Sequence, residues 1–216
     1  ETLFSQVYPG NQDSGAAYLP ILDELEHRLP LSPEQRERTI LRTDAGFGGD
    51  DKVNRALASH WQVLTKGKGG RRPASYAAHI APPEWQLVGN NRWLAPAINP
   101  VRYVKPTRHL VLRWVTPSGL LKHATLVSSV TEWSDKTILA SYDDRGQCET
   151  EIQTDKGGLK MEKRRKRHLY AQEALILLTD LAHNLLAWTS RWMFPPDTPY
   201  AGFGSTRLVE DIFAIP

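Results

Sequence analysis

The stretch "SYDDRGQCETEIQTDKGG", residues 141–158, decides how the chain is read. It has the composition of a helix, yet it carries acids, bases and a tyrosine where a packed helix would carry leucines. A rotation of about 100° per residue, with Arg145 set at zero, puts Lys156 near 20°, Glu149 near 40° and Tyr142 near 60°. All four then share one narrow face. Glu151, at about 240°, points away. The plain alternative is a solvated stripe with an Arg145–Glu149 pair at i, i+4, worth a few tenths of a kcal/mol. The rest of the chain has to separate the two readings.

Bulk properties set limits. The chain has 216 residues, enough for one domain with an insertion or for one and a half small domains, and its 40% hydrophobic and 24% charged content is ordinary for a soluble globular protein. A formal net charge of +3 is only mildly basic, so overall charge does not by itself imply nucleic acid. Cys148 is the only cysteine, which excludes an internal disulfide and fits a reducing cytoplasm. No group that would activate its thiol is visible, and it reads as a small packed residue. The most apolar run, "ALILLTDLAHNLLAW" (174–188), is short and holds Asp180 and His183, so it reads as a buried helix and not as a membrane span. The histidines show no zinc spacing.

The order of elements indicates an α/β layer. "ETLFSQVYPGNQ" opens the chain without a methionine, and its strand-like run Leu3–Tyr8 reads as the middle of a domain, hence as a truncated frame. "AAYLPILDELEHRL" (16–29) is an amphipathic helix, and "TILRTD" (39–44) is a strand ending on a carboxylate. After the turn "AGFGG", Asp50 or Asp51 caps the helix "DKVNRALASH", and "WQVLTK" (61–66) is another strand. Residues 67–133 are rich in Pro and Gly with β-type runs and no helical period, and form a β-rich insertion. Helices resume at about 134–157 and 168–194, and 195–216 form a C-terminal tail. Asp44 gains meaning from this order. A carboxylate at the end of a strand, followed by glycines, is where α/β sheets place functional groups, although it also suits a turn cap.

At this point the chain resembles a known family. "YDDRGQCETEIQTDK" matches the pattern Tyr-x2-Arg-x3-Glu-x6-Lys of bacterial insertion-sequence transposases of the DDE class. "ILRTDAGFGGDDKVNRALASHWQVLTKGK" resembles the segment around their second catalytic aspartate. The resemblance covers about residues 1–194. It implies a ribonuclease-H-like fold, partial here because the first strands are missing, with its catalytic domain in 1–66 and 134–194 and its β-rich insertion in 67–133. It further implies a two-metal site for Mg²⁺ or Mn²⁺. Such ions prefer oxygen ligands, and a pair of them activates the attacking water or 3′-hydroxyl and stabilises the leaving oxygen. Asp44 and Glu149 would be the ligands. Tyr142, Arg145 and Lys156 would meet DNA on the shared face, Arg145 through its forked guanidinium and Lys156 as a point charge.

The same resemblance implies DNA partners, both transposon ends and target, a homodimer in a synaptic complex, and a bacterial cytoplasmic, nucleoid-associated setting. The first aspartate of the catalytic set has no counterpart: Asp13 falls in a turn and Asp23 in a helix. The chain alone is therefore expected to be catalytically incomplete. "KRRKRH" (163–168), with Lys163, Arg164 and Arg165, and "KGKGGRR" (66–72) are candidate phosphate-tracking loops, or solvated basic loops. Trp85, Trp93, Trp114 and Trp133 are candidates for stacking on an extruded base, with core packing the simpler role of each. A non-catalytic DNA-binding remnant and a nuclease that cuts without joining are the competing functions.

Overall fold

The computed structural model describes residues 2–8, 12–160 and 167–213; the side chains of Ser14, Gln147, Cys148, Glu149 and Glu151 fall outside that description. The chain divides into two compact units, Gln12–Asp144 and Glu1–Asn11 with Arg145–Pro216.

The unit Gln12–Asp144 is a mixed α/β structure built on a six-stranded sheet. In chain order it contains α1 (Tyr18–Arg28), α2 (Pro33–Arg36), β1 (Ile40–Thr43), α3 (Asp50–Ala58), β2 (Gln62–Lys66) and α4 (Arg72–His79). It continues with β3 (Gln86–Gly89), β4 (Arg92–Pro96), β5 (Arg108–Val115), β6 (Leu121–Ser128) and α5 (Asp135–Asp143). The strand order is β1-β2-β6-β5-β4-β3. β1 and β2 are parallel neighbours, as their connection through α3 requires. Every other pairing is antiparallel.

Side-chain alternation sorts the core into layers. Val63, Ala95, Val111 and Val127 point to one face, and Leu64, Leu94, Leu110, Leu112 and Leu126 to the other, as a period of two dictates. The first face is covered by Tyr18 and Leu22 of α1, by Val53, Ala56 and Leu57 of α3, and by Ala77 beside Ile80 from α4. Ile138 and Leu139 of α5 cover the second. Each fully buried Val, Leu or Ile among them contributes about 1.5–3 kcal/mol by leaving water. Trp61, 1% exposed, closes the first core. Its indole N–H donates to Glu26 at 3.0 Å, and Arg36 lies over its ring. Burial would raise the Glu26 pKa, but the Trp61 N–H and the Arg55 and Arg36 guanidiniums outweigh it and hold the carboxyl below its ordinary value.

The other unit contains α6 (Gly146–Gly158), the 25-residue α7 (Leu169–Met193) and the short α8 (Ser205–Arg207), followed by a π turn, Leu208–Ile212. No helix among the described residues is long and apolar enough to cross a membrane.

Four local expectations are corrected. Residues 3–8 are not a strand: the Asn184 side chain accepts from the Thr2 N–H and donates to the Thr2 C=O, at 2.9 and 2.8 Å. The segment meets α7 through side-chain bonds, and no ladder forms. α4 breaks the helix-free reading of 67–133, since Pro73 opens it near its first position and alanines sustain it. The strands of that stretch, read as an insertion, continue the sheet of β1 and β2, because Leu126–Ser128 pair with Leu64–Lys66. The helix expected over 134–157 is two helices. α5 ends at Asp143 and α6 begins at Gly146, so the uniform rotation assumed above does not carry through to Tyr142.

Candidate active site

Asp44 owes its place to the end of β1 and to the turn after it. The Thr43 hydroxyl donates to Thr65 Oγ1 at 2.8 Å and ties the ends of β1 and β2 together. Asp44 then caps the turn Ala45–Phe47, its Oδ1 accepting from the Ala45 N–H at 2.6 Å. The turn lies flat on the end of β2. A Cβ on Gly48 would run into the Lys66 carbonyl, and the Lys68 N–H donates to the Gly48 carbonyl at 2.9 Å. The Asp44 carboxylate is exposed, and its Oδ2 has no hydrogen-bond partner among the described residues. The capping role is therefore real, and it leaves one oxygen available.

Lys66, at the end of β2, reaches over the Trp114 ring at 5.8 Å. With Arg92, Tyr142 and Asp143 these two residues line a hollow of about 360 Å³ on the face covered by α5. Arg92 grips Asp143 with two nitrogens, at 2.9 and 3.1 Å. Tyr142 is half-buried against the leucine cluster, so it serves the core as well as the hollow. Sequence reasoning missed Arg92 and the role of Lys66 because only strand pairing, Arg92 opposite Trp114, brings them beside Tyr142.

The other three candidate tryptophans, Trp85, Trp93 and Trp133, are partly covered. Trp133 lies against the leucine cluster and Trp85 against the Val111 cluster. Arg113 lies 4.0 Å over Trp85 and 5.2 Å over Trp93. Of "KGKGGRR", Arg72 is committed to Asp50 through two bonds of 2.7 and 2.8 Å, and Lys68 approaches Asp13 at 4.0 Å. Arg71 stays exposed.

In the other unit, Arg145 heads α6, and Glu149 and Lys156 lie within it, seven residues apart and so about 20° apart around the axis. Lys156 is half-exposed and makes no ion pair among the described residues. The side chains of Glu149 and Glu151 lie outside the described residues, as do Lys163, Arg164 and Arg165. Asp155 faces inward. Its carboxylate accepts from the Ser205 hydroxyl at 2.7 Å and contacts His183 Nδ1 at 2.8 Å.

The donor chemistry suits a hard cation in part. Asp44 offers an exposed carboxylate oxygen of the required type, but among the described residues no group of three His, Cys, Asp or Glu side chains converges as a metal centre. The described residues thus supply one ligand and not a completed site. Asp13 precedes the 3₁₀ turn Ser14–Ala17, and Asp23 lies in α1 paired with Arg55 at 2.9 Å, so neither stands at a strand end. A family model described as "Transposase DDE domain group 1" matches residues 1–208. No curated protein matches the chain.

Proposed function

The chain belongs to the DDE transposase domain family, group 1, and we propose that it is the ribonuclease-H-like region of a bacterial insertion-sequence enzyme that cuts transposon ends and joins them to target DNA. DNA as substrate follows from the family. One observation carries the finer reading: an exposed carboxylate, Asp44, stands at the end of a parallel β-strand upstream of Tyr142-x2-Arg145-x3-Glu149-x6-Lys156. Asp44 and Glu149 would hold Mg²⁺ or Mn²⁺. When bound, a pair of such ions lowers the pKa of the attacking water or 3′-hydroxyl and neutralises charge on the leaving oxygen.

The chain's own residues orient the DNA. Arg145 and Lys156 take backbone phosphates, and Lys66 and Arg92 supply positive charge at the hollow beside Tyr142. Trp114, which forms part of that hollow, is the tryptophan best placed for an unstacked base. Two carboxylates do not complete the catalytic set, and we propose that the 216 residues bind DNA and cut none by themselves. A DNA-binding remnant without catalysis is the second reading, in which Asp44 serves only as the cap of its turn.

The test takes an active transposase that contains these 216 residues, a matched transposon end and Mg²⁺. Glu149→Gln keeps size and hydrogen bonding but removes the charge, so cleavage falls by at least about 100-fold while end binding persists. Glu151→Gln, on the opposite side of α6, changes neither. Equal cleavage by Glu149→Gln and wild type would leave only the remnant reading.

A further inference from the structure

α6 is unusual among the helices of this chain in what holds it. Its sequence, GQCETEIQTDKGG, offers no apolar stripe, and its isoleucine, Ile152, is 53% exposed. A helix of this kind has no hydrophobic face to set its rotation about its own axis. Polar pins and close glycine contacts perform that task. Asp155 is 9% exposed and receives the Ser205 hydroxyl of α8 and the His183 imidazole of α7. The Thr206 hydroxyl donates to the Thr154 carbonyl at 3.0 Å. A Cβ on Gly158 would lie 2.6 Å from Thr206 Cα, and one on Gly204 would lie 3.0 Å from Thr154 Cγ2. Beside these contacts, Thr150 and Thr154 form one wall of a cavity of about 630 Å³ that reaches Ser190 and Thr206.

These pins share one side of α6. With Arg145 at zero, Thr154 falls at about 180°, Gly158 at about 220° and Asp155 at about 280°, centred opposite Glu149 and Lys156 at about 20–40°. Anchoring the first set to α7 and α8 therefore puts helix positions 149 and 156 on the side of α6 away from these contacts.

We propose that Asp155, through Ser205 and His183, is a positioning residue that holds the Glu149–Lys156 face of α6 toward DNA. This rests on the DNA-binding role proposed for that face. A buried carboxylate is costly unless its oxygens are hydrogen-bonded, and here it accepts from two different helices, so rotating α6 would strand it. Neighbours one and six residues away along the helix then acquire their direction from its anchorage.

The test uses the 216-residue chain and a random-sequence DNA duplex of about 30 base pairs, and reads the slope of log affinity against log salt, which drops by about one for each phosphate that the protein ceases to neutralise. Lys156→Ala is expected to lower the slope by about one. Asp155→Ala lowers it by the same amount, and adding Lys156→Ala to Asp155→Ala lowers it no further. Asp155→Asn keeps an acceptor for Ser205 and an amide for His183, and so restores the slope. Ser205→Ala, a milder change, gives an intermediate slope if Asp155→Ala proves insoluble. Loss of thermal stability with an unchanged slope in Asp155→Ala or Ser205→Ala would show a merely structural role and overturn the proposal. If Lys156→Ala itself leaves the slope unchanged, the DNA-facing reading of α6 has failed, and the positioning role with it. If Lys156→Ala lowers the slope and Asp155→Ala does not, only the positioning role has failed.

Discussion

His109 shows how one buried side chain ties stability to pH. It is 5% exposed, its ring stacks on Tyr103 at 5.3 Å, and its Nε2 meets Thr107 Oγ1 at 3.0 Å. Burial pushes its pKa down to about 4, with Asp50 opposing the shift and Arg72 adding to it. The unfolded chain takes up this proton near pH 6.5, while the folded one stays neutral until about 4. Stability is therefore full above the unfolded value and declines as pH falls across that window, by on the order of 3 kcal/mol in total. Asp50 responds at lower pH: the Arg72 guanidinium holds its carboxyl below the usual range, and that contribution disappears as acid protonates it. Melting curves of wild type and His109→Gln between pH 7 and 4 check this; the variant should lose markedly less stability over that range, and parallel losses would refute it. None of this could be read in the sequence: Tyr103 and Thr107 are near neighbours, but the burial that shifts His109 comes from strand pairing, His109 opposite Val127, and Asp50 and Arg72 lie far along the chain. Asp44 was legible, since a carboxylate at a strand end followed by glycines is a local pattern. Tyr142 was legible only in part, because its share in the leucine core depends on which strands become neighbours.

The turn after β1 carries the sharpest expectation for an element. Gly48 lies so close to the Lys66 carbonyl that any Cβ forces the turn off the end of β2. Gly48→Ala should cost at least about 2 kcal/mol, as overpacked contacts against rigid backbone do. Gly70→Ala, with nothing within 4 Å of its added methyl, should be nearly neutral. Urea unfolding of both variants measures the contrast, and equal midpoints would show that the turn is not held where described. The helices α3 and α7 followed from their apolar residues, but two details did not: Gly49 and not Asp50 or Asp51 occupies the N-cap of α3, Asp50 being held by Arg72, and α7, expected to be buried, leaves Leu177, Leu178, Leu181, Leu185 and Trp188 exposed. α4 did not follow, because Pro73 and the surrounding glycines read as loop signals while the alanines that sustain the helix are weak ones. The division between α5 and α6 was hidden for another reason. Asp144 and Arg145 keep helical dihedral angles, and the residues that stop α5 are acceptable in a helix surface.

At the scale of the whole molecule, the three apolar clusters among the described residues lie within Gln12–Asp144, whereas α6 of the other unit is held by polar pins. Residues 12–144 alone should therefore fold and melt cooperatively, and circular dichroism with a calorimetric scan is the check; a broad, non-cooperative transition would mean that their core is incomplete. The α/β class was legible because strand and helix periods alternate. The unity of the six-stranded sheet was not, since a pairing such as Leu64 with Ser128 joins residues too distant in sequence to leave a local mark. The central claim is that Glu149, in the α6 signature, acts with Asp44 in DNA cleavage. Its most direct test is cleavage of a matched transposon end in Mg²⁺ by the Glu149→Gln transposase, measured beside binding of the same end. The account predicts that cleavage collapses while binding is retained within about two-fold; cleavage at the wild-type rate would contradict it.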